Sequence, residues 1–332
     1  MAAKSSQRGV ALILALSVFA LISGISVSVL SSVQREVSLV ERVQNSSQWQ
    51  ETLLGGEAWA RGWLSGLDLN AAKNLPIDRT LPWLFTEQAF PLEQEGDSLV
   101  IQVIDRQSCI DVNGLADPER QPLTQQRLVA LSEQLGVSNE WVYWLTDWLD
   151  KDQDLSASNG REDEYYVGLE TPYRTADAPM TALSEWALLG IDEELSTTLA
   201  PYICSLPMAV GVNINRAPEP VWRAMLPQLN EEQSTKLQAK LDSVGFDSTE
   251  DLVKDELFAD LDPPLDQADW AVTTQLVEVL VTLTQNNRQY YLHSALYKQD
   301  SGLVATYYRA FGQFDTITQA LLAEDDVTRQ QP

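Results

Sequence analysis

Residues 7–33 read QRGVALILALSVFALISGISVSVLSSV, and the reading of this run decides the fold class of the whole chain. From Val10 to Val33 there is no charged residue, a stretch longer than the ~20 residues that cross a bilayer as a helix. A cleavable secretory signal has an apolar core of roughly 7–15 residues, so this run reads as a retained anchor. Lys4 and Arg8 precede it, and the sequence after it is rich in acids. By the positive-inside rule the first residues then stay in the cytoplasm and the bulk of the chain lies outside. Behind the run, apolar residues at Val33, Val37, Val40, Val43, Leu53 and Leu54 are separated by charged and polar ones at roughly a helical period. The span is therefore expected to continue as an amphipathic helix that packs on a soluble domain.

The composition narrows the function. A chain of 332 residues with 44% apolar content can build a sizeable core. The 48 acidic against 22 basic residues leave a net charge of −26, which repels phosphate backbones, so nucleic acid is not an expected partner. His293 is the sole histidine, which limits mechanisms that need imidazole as base, ligand or shuttle. Cys109 and Cys204 are the only cysteines. Periplasmic exposure would favour one disulfide between them, whereas a reducing compartment would leave two buried thiols.

Further along, DSLVIQVIDR at Asp97 to Arg106 alternates apolar and polar residues as a strand does. Residues 289–297 and 303–311 alternate likewise across the turn-like segment Lys298 to Gly302, a hairpin signal. Between these strands lie helical patterns over Thr124 to Leu135, Asn139 to Leu149, Pro218 to Leu229 and Glu231 to Leu241. The predicted class is α+β: a helix leading into a sheet that a large helical insertion interrupts. Two short segments echo each other, Ile110-Asp-Val-Asn-Gly and Val212-Asn-Ile-Asn-Arg, each ahead of a helical run, and suggest two helical lobes.

The densest chemical signal runs from Asp147 to Glu164, with seven carboxylates within eighteen residues. Hard oxygen donors in that number suit calcium, and there is no thiolate or imidazole for zinc. The spacing is not that of an EF-hand: counting from Asp150, Leu155 falls on the glycine turn and Arg161 on the bidentate glutamate. Read on composition alone, the alternative is a solvated acidic loop that binds nothing. Trp141, Trp144, Trp148, Tyr165 and Tyr166 around the loop read as core packing.

The join Gln7-Arg8-Gly9-Val10-Ala11-Leu12-Ile13-Leu14 resembles the leader of type IV pilins and pseudopilins. The resemblance implies cleavage after Gly9 by prepilin peptidase and N-methylation of Val10. Most of those proteins carry glutamate where Leu14 stands; its absence resembles component K of type II secretion systems. Gly160-Arg-Glu-Asp-Glu-Tyr-Tyr, Thr171-Pro-Tyr-Arg-Thr-Ala-Asp-Ala-Pro-Met and Ser184-Glu-Trp look like elements of that family's calcium-binding region. By that resemblance the calcium ligands are Asp150, Asp152, Asp154, Glu162 and Asp163, with Asp177, where the family often has asparagine, as a further one. The resemblance also implies a pilin-like sheet with lobes similar to sterile-alpha-motif folds, and hence a division into leader 1–9, transmembrane helix 10–33, pilin-like part 34–110, insertion 111–287 in lobes of about 111–210 and 211–287, and a second pilin-like part 288–332. The implied function is a minor pseudopilin at the tip of the pseudopilus, in the inner membrane with its C-terminal domain in the periplasm. Its implied partners are components I and J, met through the N-terminal helix, and prepilin peptidase. The alternatives are a membrane-anchored, calcium-dependent periplasmic hydrolase working through paired carboxylates, and an anchored binding protein unrelated to secretion.

Overall fold

The computed structural model describes residues 48–67, 84–93, 96–181, 183–299 and 301–312, with Leu14, Leu16, Ser17, Phe19, Ser23 and Ser28 at helical positions ahead of them. The chain divides into two compact units, Met1–Leu54 and Gly55–Pro332. The described residues of the first are helical, and Leu14, Leu16 and Phe19 expose their apolar side chains. Among the described residues no helix is long and apolar enough to cross a membrane. The expected span 10–33 lies largely outside them, as do the cleavage position Gly9–Val10 and the tail beyond 312.

The second unit opens with helix α1 (55–66), whose inner face rests on a five-stranded sheet. The strands are β1 (Leu84–Pro91), β2 (Ser98–Asp105), β7 (Leu276–Gln285), β8 (Arg288–Lys298) and β9 (Val304–Phe311), antiparallel throughout in the order β1-β2-β7-β8-β9. The contact is close because Gly56 has no side chain: a Cβ there would come within 2.6 Å of Val281 Cγ1. Two polar staples fix α1. Glu57, 1% exposed, accepts from Arg309 Nε at 2.6 Å and Nη2 at 2.8 Å and from Ser294 Oγ at 2.8 Å. Burial resists its charge, yet Arg309, Ser294 and Thr306 outweigh that and hold the carboxyl below its ordinary range. At the other end Lys298 Nζ donates to the carbonyls of Leu64, Ser65 and Leu67, closing backbone acceptors that a helix end leaves open.

The strand and hairpin read from the alternating patterns fall where expected, at β2 and at β8–β9. β7 corrects the domain boundary: it pairs with β2 and β8, so the insertion closes near residue 275 and not at 287. The segment LVEVLVTLTQ is the central strand and is buried from Leu276 to Val281 on both faces, Glu278 included, so it shows little of the two-residue alternation that marks a half-exposed strand.

The insertion leaves the sheet after β2 and returns into β7. Its helices include α2 (Gln121–Leu135), α3 (Glu140–Leu149), α4 (Asp163–Val167) and α5 (Glu193–Leu199) in the first lobe, and α6 (Glu219–Met225), α7 (Glu231–Ser243) and α8 (Thr249–Val253) in the second. One continuous core, with Leu128, Leu131, Trp141, Trp186 and Trp222 at its centre, serves both lobes. The faint echo in the sequence is a structural duplication. Each lobe is closed by a two-residue parallel pair, β3 (Ile110–Asp111) with β4 (Ile203–Cys204) and β5 (Val212–Asn213) with β6 (Trp270–Ala271). In the first, Asn113 Nδ2 donates to Met180 O at 2.9 Å and Leu206 O at 3.0 Å while its Oδ1 accepts from Met180 N at 2.7 Å. In the second, Asn215 Nδ2 donates to Phe246 O and Val272 O, each at 2.9 Å, and its Oδ1 accepts from Phe246 N at 2.8 Å. An amide is suited to this because it offers two donors and an acceptor on one planar group.

The base of the insertion is pinned to the sheet. Arg216 Nε and Thr274 Oγ1 both donate to Asp105 Oδ2, at 3.0 and 2.8 Å, and Gln107 Oε1 accepts from the amides of Gln275 and Leu276. Cys109 and Cys204 are joined as a disulfide with Cα atoms 5.8 Å apart, packed against Leu206 and Leu276.

Candidate metal centre

The acidic loop hangs between α3 and α4, and the helix ends decide which carboxylates meet. Asp150 is the residue that ends α3, its amide donating back to Thr146 O at 2.9 Å. Its Oδ2 accepts from Gln121 Nε2 at 2.9 Å, and its Oδ1 is buried without a partner. Asp152 Oδ1 accepts the amide of Asp154 at 2.9 Å, a local turn that leads the chain away. The loop comes back at Glu162, the N-cap of α4, in an extended backbone conformation. Glu162 is 5% exposed, and both of its carboxylate oxygens are buried without a hydrogen-bond partner.

Asp150, Asp152 and Glu162 each bring a carboxylate oxygen into one cluster, these atoms lying within 4.8 Å of one another. Burial pushes the Glu162 carboxyl up to about 8, and the charges of Asp147, Asp150, Asp177 and Asp152 add to the effect. Burial and the neighbouring Asp152 raise Asp150 to about 6, against the opposing bond from Gln121. Buried acceptors with nothing to accept from are costly, and mutually repelling carboxylates compound the cost. A hard divalent cation removes both penalties at once, and the all-oxygen donor set fits calcium chemistry and not zinc.

The other three expected ligands fall elsewhere. Asp154 is exposed and outside the cluster. Asp163 is the first residue of α4, and its carboxylate is taken up outside the cluster. Its Oδ1 accepts the amide and hydroxyl of Thr175, both at 3.0 Å, and its Oδ2 meets Arg174 at 3.2 Å. Asp177 stands at the edge: its charge acts on Asp150 and Glu162, its Oδ1 accepts from Thr175 Oγ1 at 2.7 Å, and its amide reaches Trp148 O. Its φ of +48° explains why this position suits aspartate or asparagine, the non-glycine residues most tolerant of left-handed backbone. The aromatic residues behave mainly as packing, with Trp148 meeting Tyr166 and Tyr173 edge to face beside the loop.

Two participants were not legible from composition. Gln121 lies 29 residues before Asp150, and only the packing of α2 near the loop brings it there. Asp147 reads as one more acid of the run, yet it is fully buried and bonded to the loop backbone on both oxygens.

The family model for the type II secretion system (T2SS), protein K, matches residues 108–208, which contain the whole cluster. The type II secretion system protein K of Pectobacterium carotovorum subsp. carotovorum is 33% identical over 233 residues, covering 65% of this chain and 68% of its own length. That of Pseudomonas aeruginosa is 27% identical over 319 residues, covering 93% and 94%. The solved GspK-GspI-GspJ complex from the enterotoxigenic Escherichia coli type 2 secretion system holds a chain of the same fold, with a TM-score of 0.62 and 23% identity over 82% of this chain and 99% of that one.

Proposed function

The chain belongs to the type II secretion system protein K family, and from that premise we propose that it is the minor pseudopilin that caps the periplasmic pseudopilus and initiates its assembly for export of folded proteins. The observation that carries this reading is 33% identity to a protein K over 68% of that relative's length. The fold supports it: a bulky two-lobed insertion borne on a sheet behind an N-terminal helix would crowd neighbours along a filament and is accommodated at its end. Leu14 agrees, because a subunit with no neighbour ahead of it needs no carboxylate in the bilayer to pair with that neighbour's terminal amine.

In this reading prepilin peptidase cuts after Gly9, Val10 becomes the methylated N-terminus, and residues 10–33 anchor the chain in the inner membrane. The partners are components I and J, which stand with GspK in the solved complex, and in this reading they are met through the N-terminal helix. Calcium is held by Asp150, Asp152 and Glu162, with Asp177 beside them, and its role is structural. When bound it supplies the positive charge that lets loop segments of like sign stay together, which stabilises the native state by mass action. The chain itself performs no covalent step.

Co-expression of the full chain with components I and J of its own system tests the assignment. A ternary complex that survives purification in detergent is the expected result, and its loss when the N-terminal helix is exchanged for an unrelated anchor is the second. Recovery of the chain alone, with I and J pairing only with each other, would contradict it.

A further inference from the structure

Asp147 lies in the last turn of α3 with 0% exposure, and each of its oxygens goes to a different part of the acidic loop. Oδ1 accepts from Ser156 N at 2.8 Å and Oδ2 from Arg161 N at 2.6 Å. One buried carboxylate thus ties down both the outgoing and the returning limb. The residue after the second tie is Glu162, whose orphaned oxygens complete the cluster.

The returning limb can come this close only because position 160 is glycine. A Cβ there would collide with Asp147 Oδ2, and it would also press on Ala157 O at 3.0 Å. The side chain of Arg161 is drawn elsewhere: its guanidinium lies 3.4 Å from the centroid of Trp144 and 4.6 Å from that of Tyr165, and Nη1 donates to Leu189 O at 2.6 Å. With residue 160 pressed on Asp147 and residue 161 held away over aromatic faces, the backbone presents Glu162 toward Asp150 and Asp152.

We propose that Asp147, with Gly160 as its steric partner, is a positioning residue of the cation site: it does not touch the ion, and it sets the loop so that Glu162 meets Asp150 and Asp152. This rests on the calcium reading above. Its physical content is preorganisation, since a loop already fixed does not lose that freedom when the ion arrives. Outer residues that orient metal ligands change affinity by about 10–100-fold when altered.

The test uses the full chain in detergent, stripped of metal and titrated with Ca2+ by calorimetry and with Tb3+ by luminescence sensitised through the loop tryptophans. Asp147→Asn keeps the shape but can no longer accept both amides. It should bind Ca2+ about 10–100-fold more weakly than wild type. The number of waters on bound Tb3+, read from its lifetime in H2O and D2O, should stay that of wild type because no ligand is lost. Gly160→Ala keeps the carboxylate but drives the returning limb off Asp147 Oδ2, and it should give the same loss with the same hydration, which keeps the test open if Asp147→Asn does not fold. Affinities within about twofold of wild type in the variants that fold would overturn the proposal. So would an added Tb3+-bound water in Asp147→Asn, which would make Asp147 a ligand. A wild-type chain that binds no Ca2+ would sink the calcium reading itself, and this proposal with it.

Discussion

Replacing Asn113 or Asn215 by alanine probes the duplicated clamp that closes each lobe. Each side chain makes three hydrogen bonds, all to backbone groups: Met180 N, Met180 O and Leu206 O for Asn113, and Phe246 N, Phe246 O and Val272 O for Asn215. Alanine supplies none of them, and the partner groups are left in interiors where Met180 and Phe246 are each 2% exposed. At about 1 kcal/mol net for each lost bond, either substitution should cost about 3 kcal/mol, and the two costs should agree within about 1 kcal/mol. Hydrogen exchange read by mass spectrometry assigns the loss to a lobe. The Met180 amide should lose about a hundredfold of protection in Asn113→Ala, and the Phe246 amide likewise in Asn215→Ala, with the other lobe affected less. A cost below about 1 kcal/mol in either variant, or unchanged protection at the amide that donated to the removed oxygen, would refute the account of the clamp.

Calcium removal by chelator should lower the melting temperature of the full chain, and Glu162→Gln should abolish that dependence; differential scanning fluorimetry with and without Ca2+ reads both. The bridge between Cys109 and Cys204 closes a separation of 95 residues. In the chain-entropy picture the double serine variant should lose up to about 4–5 kcal/mol, measured by urea unfolding. Lys298→Met should free the end of α1, which Lys298 holds through three carbonyls, and raise exchange at 64–67 with a cost of about 2 kcal/mol. Buried Glu278 carries an acid-sensitive contribution. Burial opposes its charge, but Arg106 at 3.0 Å and His293 hold the carboxyl at about 2 against an ordinary 4.5. A depressed folded pKa adds stability that is complete above about pH 4.5 and is lost as pH falls through about 2, so Glu278→Gln should flatten that acid limb in unfolding scans.

What could be read from the sequence came from local physics. The alternation survives in burial along β8, where buried residues take turns with partly exposed ones, whereas in β2 it is an alternation of residue type only, because Gln102 and Asp105 are buried polar residues. The helix over 140–149 is legible because its apolar residues recur on one face, where Trp141, Val142, Leu145, Trp148 and Leu149 are buried. β7 was hidden for the opposite reason, since a strand buried along most of its length loses the period that marks strands. At the site, composition showed a carboxylate-rich loop but not which acids converge. That depends on the turn at Asp152, on the capture of Asp163 by Thr175 at the start of α4, and on Asp147 bonded to the loop backbone, and each of these arises only once α3 and α4 are in place. The paired Asn113 and Asn215 were visible as an echo because a duplicated clamp keeps its amide at the same point in both lobes.

The central claim is that this chain is processed and assembled as a pseudopilin, and intact-mass and N-terminal peptide spectrometry of the chain extracted from its native membrane tests it most directly. The account predicts a mature chain that begins at Val10 with a methyl group on its amine. A chain that begins at Met1 or Ala2, or one cut beyond Ser23, would contradict it.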